Sequence, residues 1–392
     1  MVTGAATMRI AHFSPLPPQQ TGIAHYCAEL LPYLSDYAEV DAYTTAEETA
    51  VSLPAQPITT FTPAMRYQYD ICLYHMGNHP AYHQEIYTAL RRHPGIVVLH
   101  EINLHAFYLQ REESRTAYIR EMGYAYGTDG IYAARQHLSG ERPLSTNNYP
   151  LFQRIVNSSL GIIVHTEFAR QAILSAIPSA RVVTIPLAVH LPDGFEPTVQ
   201  LPELPPTAVS IGSFGVVAAS KRIDVLLRAL AALRSSVPAF HYYIIGKPLP
   251  DYDLSSLIDS LALNDIVHQI GYAAPDEFES YLSQIDIGVN LRTAPSGGEM
   301  SATLIRLLAH GKPTIVSNIG GFTALPDQSV LKLDQDEDEQ SHLTTLLRQL
   351  IMSADKRSRY GQAARAYVRQ QYAFPLAAQQ HINFAKEIIH AS

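Results

Sequence analysis

The run Ser296-Gly297-Gly298-Glu299-Met300-Ser301 has the residue types of an anion site. An apolar stretch at 287–290 comes before it, and helical spacing begins near 299–301. A helix starting there directs backbone N–H groups and the positive end of its dipole at whatever lies in front, which favours a phosphate. Glu299 adds a carboxylate to the same place, where sugar hydroxyls are natural donors. The same residues also read as a glycine turn with a capping Glu and Ser, which stabilises many helices. Residue types alone leave both readings standing.

Other positions carry less by themselves. Gly22 closes a Pro-rich loop at 14–22 and, without a Cβ, lets backbone approach a ligand; it also reads as a plain tight turn. Lys221 stands between the loop 215–220 and an apolar helix at 223–234, where a solvated surface lysine is the ordinary expectation. His100 and Glu101 follow an apolar strand at 96–99, and a strand-end histidine can simply cap a loop. His75, His79 and His83 are spaced four and four, but Gly77 and Pro80 interrupt the run, so one helix face does not carry all three. Metal binding is therefore not expected. No HExxH, P-loop or Gly-x-Gly-x-x-Gly pattern occurs. Asn157-Ser158-Ser159 fits a glycosylation pattern and is read as chance.

The elements that must position these residues form two alternating series. Strands are expected at 8–13, 71–74, 96–99 and 160–165, with helices at 23–34 and 81–92 between them. Residues 107–150, rich in Tyr, Arg and Glu, read as helices laid over this first domain. A proline-dense stretch at 192–206 is the linker. Strands then recur at 208–212, 241–246, 267–270, 287–290 and 314–317, with helices at 223–234, 254–261, 275–284 and 301–310. The acidic run 334–339 reads as a solvated loop and 376–389 as a terminal helix. Strands alternating with helices predict parallel sheets. The division is 1–195, with the helical insertion, then 205–375, then the terminal segment 376–392 packing back toward the first domain. Two doubly wound α/β domains with ligand-binding loops at their strand ends would face one central cleft.

Bulk properties narrow the function. The 392 residues exceed one ordinary core, and 47% hydrophobic against 16% charged residues fits a globular chain. A net charge of −8 argues against general nucleic-acid binding. Two cysteines make neither a disulfide framework nor a zinc spacing, so a reducing cytoplasm is the expected setting. The first 18 residues lack the apolar core of a secretory signal, and no window is long enough to span a membrane. Peripheral membrane contact stays open.

Taken together, 296–317, the loop 14–26, Val97-Val98-Leu99-His100-Glu101 and 215–227 resemble the family 4 (group 1) retaining glycosyltransferases of GT-B fold. Gly311-Lys312-Pro313 and the strand after it match that family's donor motif well; 107–150 match nothing in it. The resemblance implies a sugar moved from a nucleotide-diphosphate sugar to an acceptor hydroxyl with retention, by front-side attack within a tight ion pair. The leaving diphosphate would itself take the acceptor's proton. It implies no metal and no cofactor beyond the nucleotide-sugar co-substrate. His100 would line the reacting face, Lys221 would balance the leaving diphosphate, and Glu299 would orient the sugar. Gly22, Gly215, Arg222, Gly297, Gly298, Met300, Ser301 and Arg306 complete the implied donor site. The acceptor would be a glycan, a lipid-linked or a small molecule, with 107–150 as a candidate surface; oligomeric state is open. Two departures mark a variant. Arg306 stands where the family places a ribose-binding acid, and Val216 where it places an arginine, which Arg222, Arg292 or Arg306 would have to replace. A nucleotide-sugar epimerase of the same fold and a non-catalytic sugar-nucleotide-binding relative are the alternatives.

Overall fold

The computed structural model describes residues 7–46, 49, 54–111, 115–202, 205–250 and 252–391. Residues 112–114 of the expected helical insertion and 203–204 of the expected linker lie outside these. The chain divides into two compact units. The first takes residues 1–188, 297–300 and 374–392, the second 189–296 and 301–373.

The first unit is built on a seven-stranded parallel sheet in the order β3-β2-β1-β4-β5-β6-β7. Its strands are β1 (Arg9–Phe13), β2 (Glu39–Thr44), β3 (Ala55–Pro57), β4 (Ile71–Met76), β5 (Ile96–Leu99), β6 (Gly161–Val164) and β7 (Val182–Thr184). The helices between them are α1 (Gly22–Ser35), α2 (Pro63–Arg66), α3 (Pro80–Arg92), α4 (His105–Gln110), α5 (Arg115–Ser139), α6 (Gln153–Asn157) and α7 (Glu167–Ala176). Helix α1 starts where Thr21 Oγ1 accepts from Ala24 N at 3.0 Å, satisfying one of its unpaired donors. Helix α3 starts with Pro80 in its first turn, where a missing N–H costs nothing. The expected helices of 107–150 are α4 and α5, and α5 is kinked at Gly127, whose φ of 63° leaves the helical region.

The second unit holds six parallel strands in the order β10-β9-β8-β11-β12-β13. They are β8 (Val209–Phe214), β9 (Phe240–Ile245), β10 (Val267–Gly271), β11 (Ile287–Asn290), β12 (Thr314–Ser317) and β13 (Leu331–Leu333). Its helices are α8 (Ile223–Leu233), α9 (Ser255–Ser260), α10 (Pro275–Gln284), α11 (Ala302–Ala309), α12 (Glu339–Met352) and α13 (Ala354–Gln371). The last helix, α14 (Phe374–His390), packs on α1 in the first unit. Strands β3, β7 and β13 carry no expectation from sequence. Each is a three-residue edge strand, too short for an apolar period to register. Strand β2, Glu-Val-Asp-Ala-Tyr-Thr, is missed because its first half is polar and not buried.

One expectation needs correction. The acidic run 334–339 is exposed at Asp334 and at 336–338, but Glu339 is 5% exposed and opens α12. Its carboxylate takes both Nε and Nη2 of Arg222. A fork-to-fork ion pair is what lets a carboxylate leave water. No helix among the described residues is long and apolar enough to cross a membrane.

Candidate functional site

In an open parallel sheet, ligands bind beyond the strand ends where strand order reverses. In the second unit that point lies between β8 and β11. There a shallow open recess is lined by Gly215, Lys221, Asn290 and Arg292 among others, with no carboxylate among its described lining residues. Gly215 has φ 95°, a left-handed conformation that favours glycine, and a Cβ there would meet only Thr303 Oγ1 at 3.9 Å. Backbone is thus exposed to the recess. Gly246 backs it from just past β9, since a Cβ there would lie 1.8 Å from Gly215 O.

Neighbouring residues Lys221 and Arg222 have different tasks. Arg222 is the N-cap residue of α8 in the left-handed region at φ 52°, which is unfavourable for a side chain with a Cβ. Its ion pair with Glu339 holds it there. The turn so fixed puts Lys221 in the recess while Arg222 is occupied behind it. Of the three arginines that could stand in for Val216, only Arg292 lines the recess. Arg306, on α11, lies 3.9 Å from Glu279 of α10. Breaking a buried pair leaves an uncompensated charge. Glu339→Ala is therefore expected to lower stability by about 3 kcal/mol, read from the urea midpoint at unchanged slope.

Helix α11 begins as sequence suggests. Ser301 Oγ accepts from Leu304 N at 3.3 Å, and Asn290 Nδ2 and Arg292 Nη2 each donate to Ser301 Oγ at 3.2 Å. The Gly311-Lys312-Pro313 exit is structural. Gly311 has φ 67° and packs on Gly361, while Lys312 Nζ, largely buried, donates to Ser283 O at 2.6 Å.

In the first unit, residues 297–300 sit over the loops that follow β5 and β6. Ile102 N donates to Gly297 O at 3.2 Å and Thr166 Oγ1 to Gly298 O at 3.0 Å. Gly298 has φ 80°, and a Cβ there would lie 3.0 Å from Ile102 Cγ1. Met300 is buried. Glu299 interacts electrostatically with Glu101, a residue the sequence singles out only by its place after His100. Burial first, and the Glu299 charge second, push the Glu101 carboxyl up to about 7, against hydrogen bonds from Asn78 that favour its ionised form. A raised folded-state pKa means the folded chain binds more protons than the unfolded one between about 4.5 and 7, so stability falls as pH rises through that window. Glu101→Gln removes this loss. The variant is expected to melt higher than the parent at pH 8, with the gain fading toward pH 4.5, in paired thermal melts.

His100 is tied into a row of histidines. Its Nδ1 lies 3.1 Å from His165 Nε2 and its Nε2 lies 3.0 Å from His75 Nδ1. His165 Nδ1 is 2.9 Å from Ile185 O. That carbonyl can only accept, so His165 carries its proton on Nδ1, and the hydrogen-bond network then assigns protons to Nδ1 of His100 and of His75. Burial keeps all three neutral, His165 at about 4 and the other two well below the ordinary histidine value. Both ring nitrogens of His100 are thus occupied by protein. Any place of His100 on the reacting face, as the resemblance implies, therefore leaves its ring nitrogens bonded to His75 of β4 and to His165 just past β6.

Gly22 is the first residue of α1, and a Cβ there would meet nothing within 4 Å. The position is exposed to solvent. His79 is exposed and caps α3, accepting from Ala81 N at 3.2 Å, while His83 bonds the backbone of His75. The four-and-four spacing therefore makes no cluster.

Two units of parallel sheet flanked by helices define the GT-B class of fold. Residues 205–351 match the family model described as "Glycosyl transferases group 1". A glycosyltransferase from Rickettsia africae superposes with a TM-score of 0.64 at 16% identity, covering 99% of this chain and 100% of that one. Sucrose-phosphate synthase from Thermosynechococcus elongatus gives 0.66 at 18% identity, over 98% and 100%. HepE from Anabaena, in complex with UDP and glucose, gives 0.62 at 17%, over 97% and 100%. Among curated proteins no sequence match is found.

Proposed function

We propose that the protein is a retaining, metal-independent glycosyltransferase that moves a sugar from a nucleotide-diphosphate sugar to an acceptor hydroxyl. One observation carries this reading. The recess at the β8–β11 switch point pairs two cations, Lys221 and Arg292, with exposed backbone at Gly215 and no carboxylate among its described lining residues. That is the chemistry of a diphosphate site, and the group 1 model spans it. As the glycosidic bond breaks, charge grows on the leaving diphosphate, and cations already in place stabilise it without reorganisation. Donation from N–H groups at the start of α11 adds to this. The departing diphosphate takes the acceptor's proton, so no enzyme nucleophile is required.

Glu299 orients the sugar by accepting from its hydroxyls. Glu101, protonated over part of the neutral range, lets two carboxyls share that neighbourhood without full repulsion. His100 acts as a positioning residue, its ring fixed by His75 and His165. Gly22, Gly297, Gly298 and Met300 shape the approach to the donor. Arg306, where the family resemblance places a ribose-binding acid, lies beside Glu279 and would reach a nucleotide only by leaving that carboxylate; Arg222 belongs to the donor site only by anchoring the turn that carries Lys221. A cytoplasmic setting suits the two unpaired cysteines.

UDP-glucose is the first donor to test, because HepE is bound to UDP and glucose. The full chain is incubated with a nucleotide-sugar panel, with and without sugar and lipid-linked acceptors. Nucleotide release that depends on acceptor, with an α-linked product from an α-linked donor, is the expected result. Epimer formed without acceptor, or binding without turnover across the panel, would replace this reading with one of the two alternatives.

A further inference from the structure

We propose that the first unit carries a buried site for a divalent metal ion of zinc-like softness, ligated by His12, Cys27 and His75. The inference stands apart from the glycosyl-transfer reading.

Four histidines follow one sheet face, His12 and His75 within β1 and β4, and His100 and His165 one residue past β5 and β6. His12 is on β1, opposite Leu73, and His75 lies two residues further along β4. His75 pairs with Val98, with His100 two residues on; Val98 pairs with Ile163, with His165 two residues on. Side chains two apart on a strand share a face, so the histidines form one row. Tyr26 and Cys27 of α1 and His381 and Phe374 of α14 belong to the same neighbourhood, with Tyr26 in ring contact with His75, His100, His165 and Phe374. One ring nitrogen each of His12 and His75 and the sulfur of Cys27 all lie within 4.8 Å of one another. All three residues are essentially inaccessible to solvent.

Hydrogen bonding decides what these atoms offer. Ile185 O sets the chain through His165 and His100 to His75, and leaves His75 Nε2 without a proton. That atom is buried and has no hydrogen-bond partner among the described residues. His381 donates Nδ1–H to Ala377 O at 2.7 Å, so its Nε2, also buried without a partner, is likewise bare. Ser14 Oγ lies 3.3 Å from His12 Nδ1 and also bonds Cys27. Burial pushes the Cys27 thiol up, so it keeps its proton until a metal displaces it; the single Ser14 proton then goes to sulfur. Ser14 then accepts from His12 Nδ1–H, and His12 Nε2, a third buried and unpartnered atom, is bare too. Buried polar atoms are almost always satisfied, and three bare imidazole nitrogens with only the Cys27 S–H in their group suit a cation that displaces that proton. Imidazole nitrogen with thiolate sulfur selects zinc and its neighbours over calcium or magnesium. A tetrahedral zinc site separates its ligand atoms by roughly 3.3–3.6 Å, so atoms already within 4.8 Å of one another need only a small closure on binding. Each ligand already has its outer hydrogen bond, His75 to His100, and His12 and Cys27 to Ser14, as metal ligands generally do. His381 is the candidate fourth ligand. Binding replaces the Cys27 S–H proton, released to solvent, with a metal–sulfur bond. The ion would tie α1, which Gly22 opens, to β1 and β4.

The test is Co²⁺ titration of the untagged full chain, with zinc content per chain measured after dialysis. One equivalent bound, a thiolate-to-cobalt charge-transfer band in the near ultraviolet, loss of the band on adding Zn²⁺, and a higher melting temperature with Zn²⁺ than with EDTA are expected. Cys27→Ser should abolish the band and His75→Gln should weaken binding at least tenfold, while His79→Gln leaves both unchanged. Absence of stoichiometric metal on the folded chain, or binding without the sulfur band, overturns the site, as does a band unchanged in Cys27→Ser. Should Cys27→Ser fail to fold, the wild-type band and the Zn²⁺-dependent melting shift still decide the matter.

Discussion

Replacing Lys221 with Ala is expected to lower kcat roughly 10²–10³-fold, the range seen when one fixed stabiliser of transition-state charge is removed. The size follows from where the charge appears. In the ground state the diphosphate is shared with the sugar, and its extra negative charge develops only as the glycosidic bond stretches. A cation that matters mainly then acts on kcat and less on KM. Lys221 is suited to this because its turn is fixed from behind by the Arg222–Glu339 ion pair. Acceptor-dependent nucleotide release by the variant, at saturating donor, is the measurement. A rate within a few-fold of the parent would remove Lys221 from the leaving-group role.

Arg292→Ala should cost roughly 10–100-fold in kcat/KM, since charge-assisted hydrogen bonds contribute about 1.5–3 kcal/mol. Arg292 has a second task, because its Nη2 donates to the Ser301 hydroxyl that caps α11. Charge and positioning are separated by restoring an arginine at the position the family resemblance gives it. Val216 is 53% exposed and lines the same recess, so Val216→Arg meets no buried obstacle. The double variant Val216→Arg/Arg292→Ala is expected to recover at least tenfold of the loss. If it stays as slow as Arg292→Ala alone, Arg292 works through Ser301 and not through the diphosphate.

Most of the framework was legible in the amino-acid order. The strands β1, β4, β5, β6, β8, β9, β10, β11 and β12 announce themselves as apolar runs. Ser301 and Pro80 mark the starts of α11 and α3 because capping and ring geometry act within one turn of chain. The glycines at 215 and 298 also declare a local need, a left-handed backbone that other residues avoid.

What the order could not give is which distant side chains meet. Sequence offered Arg222, Arg292 and Arg306 as equals. Tertiary contacts distinguished them, because Glu339 takes Arg222 from 117 residues away and Glu279 lies beside Arg306, while Arg292 lines the recess with Lys221. Likewise His12, His75, His100, His165 and His381 are scattered through the chain and share no spacing that a linear pattern could detect. Helix and strand formation depend on neighbours a few residues apart, so local order determines them. Charge pairing, proton placement and metal ligation depend on separations of a few ångströms, which only the folded chain creates.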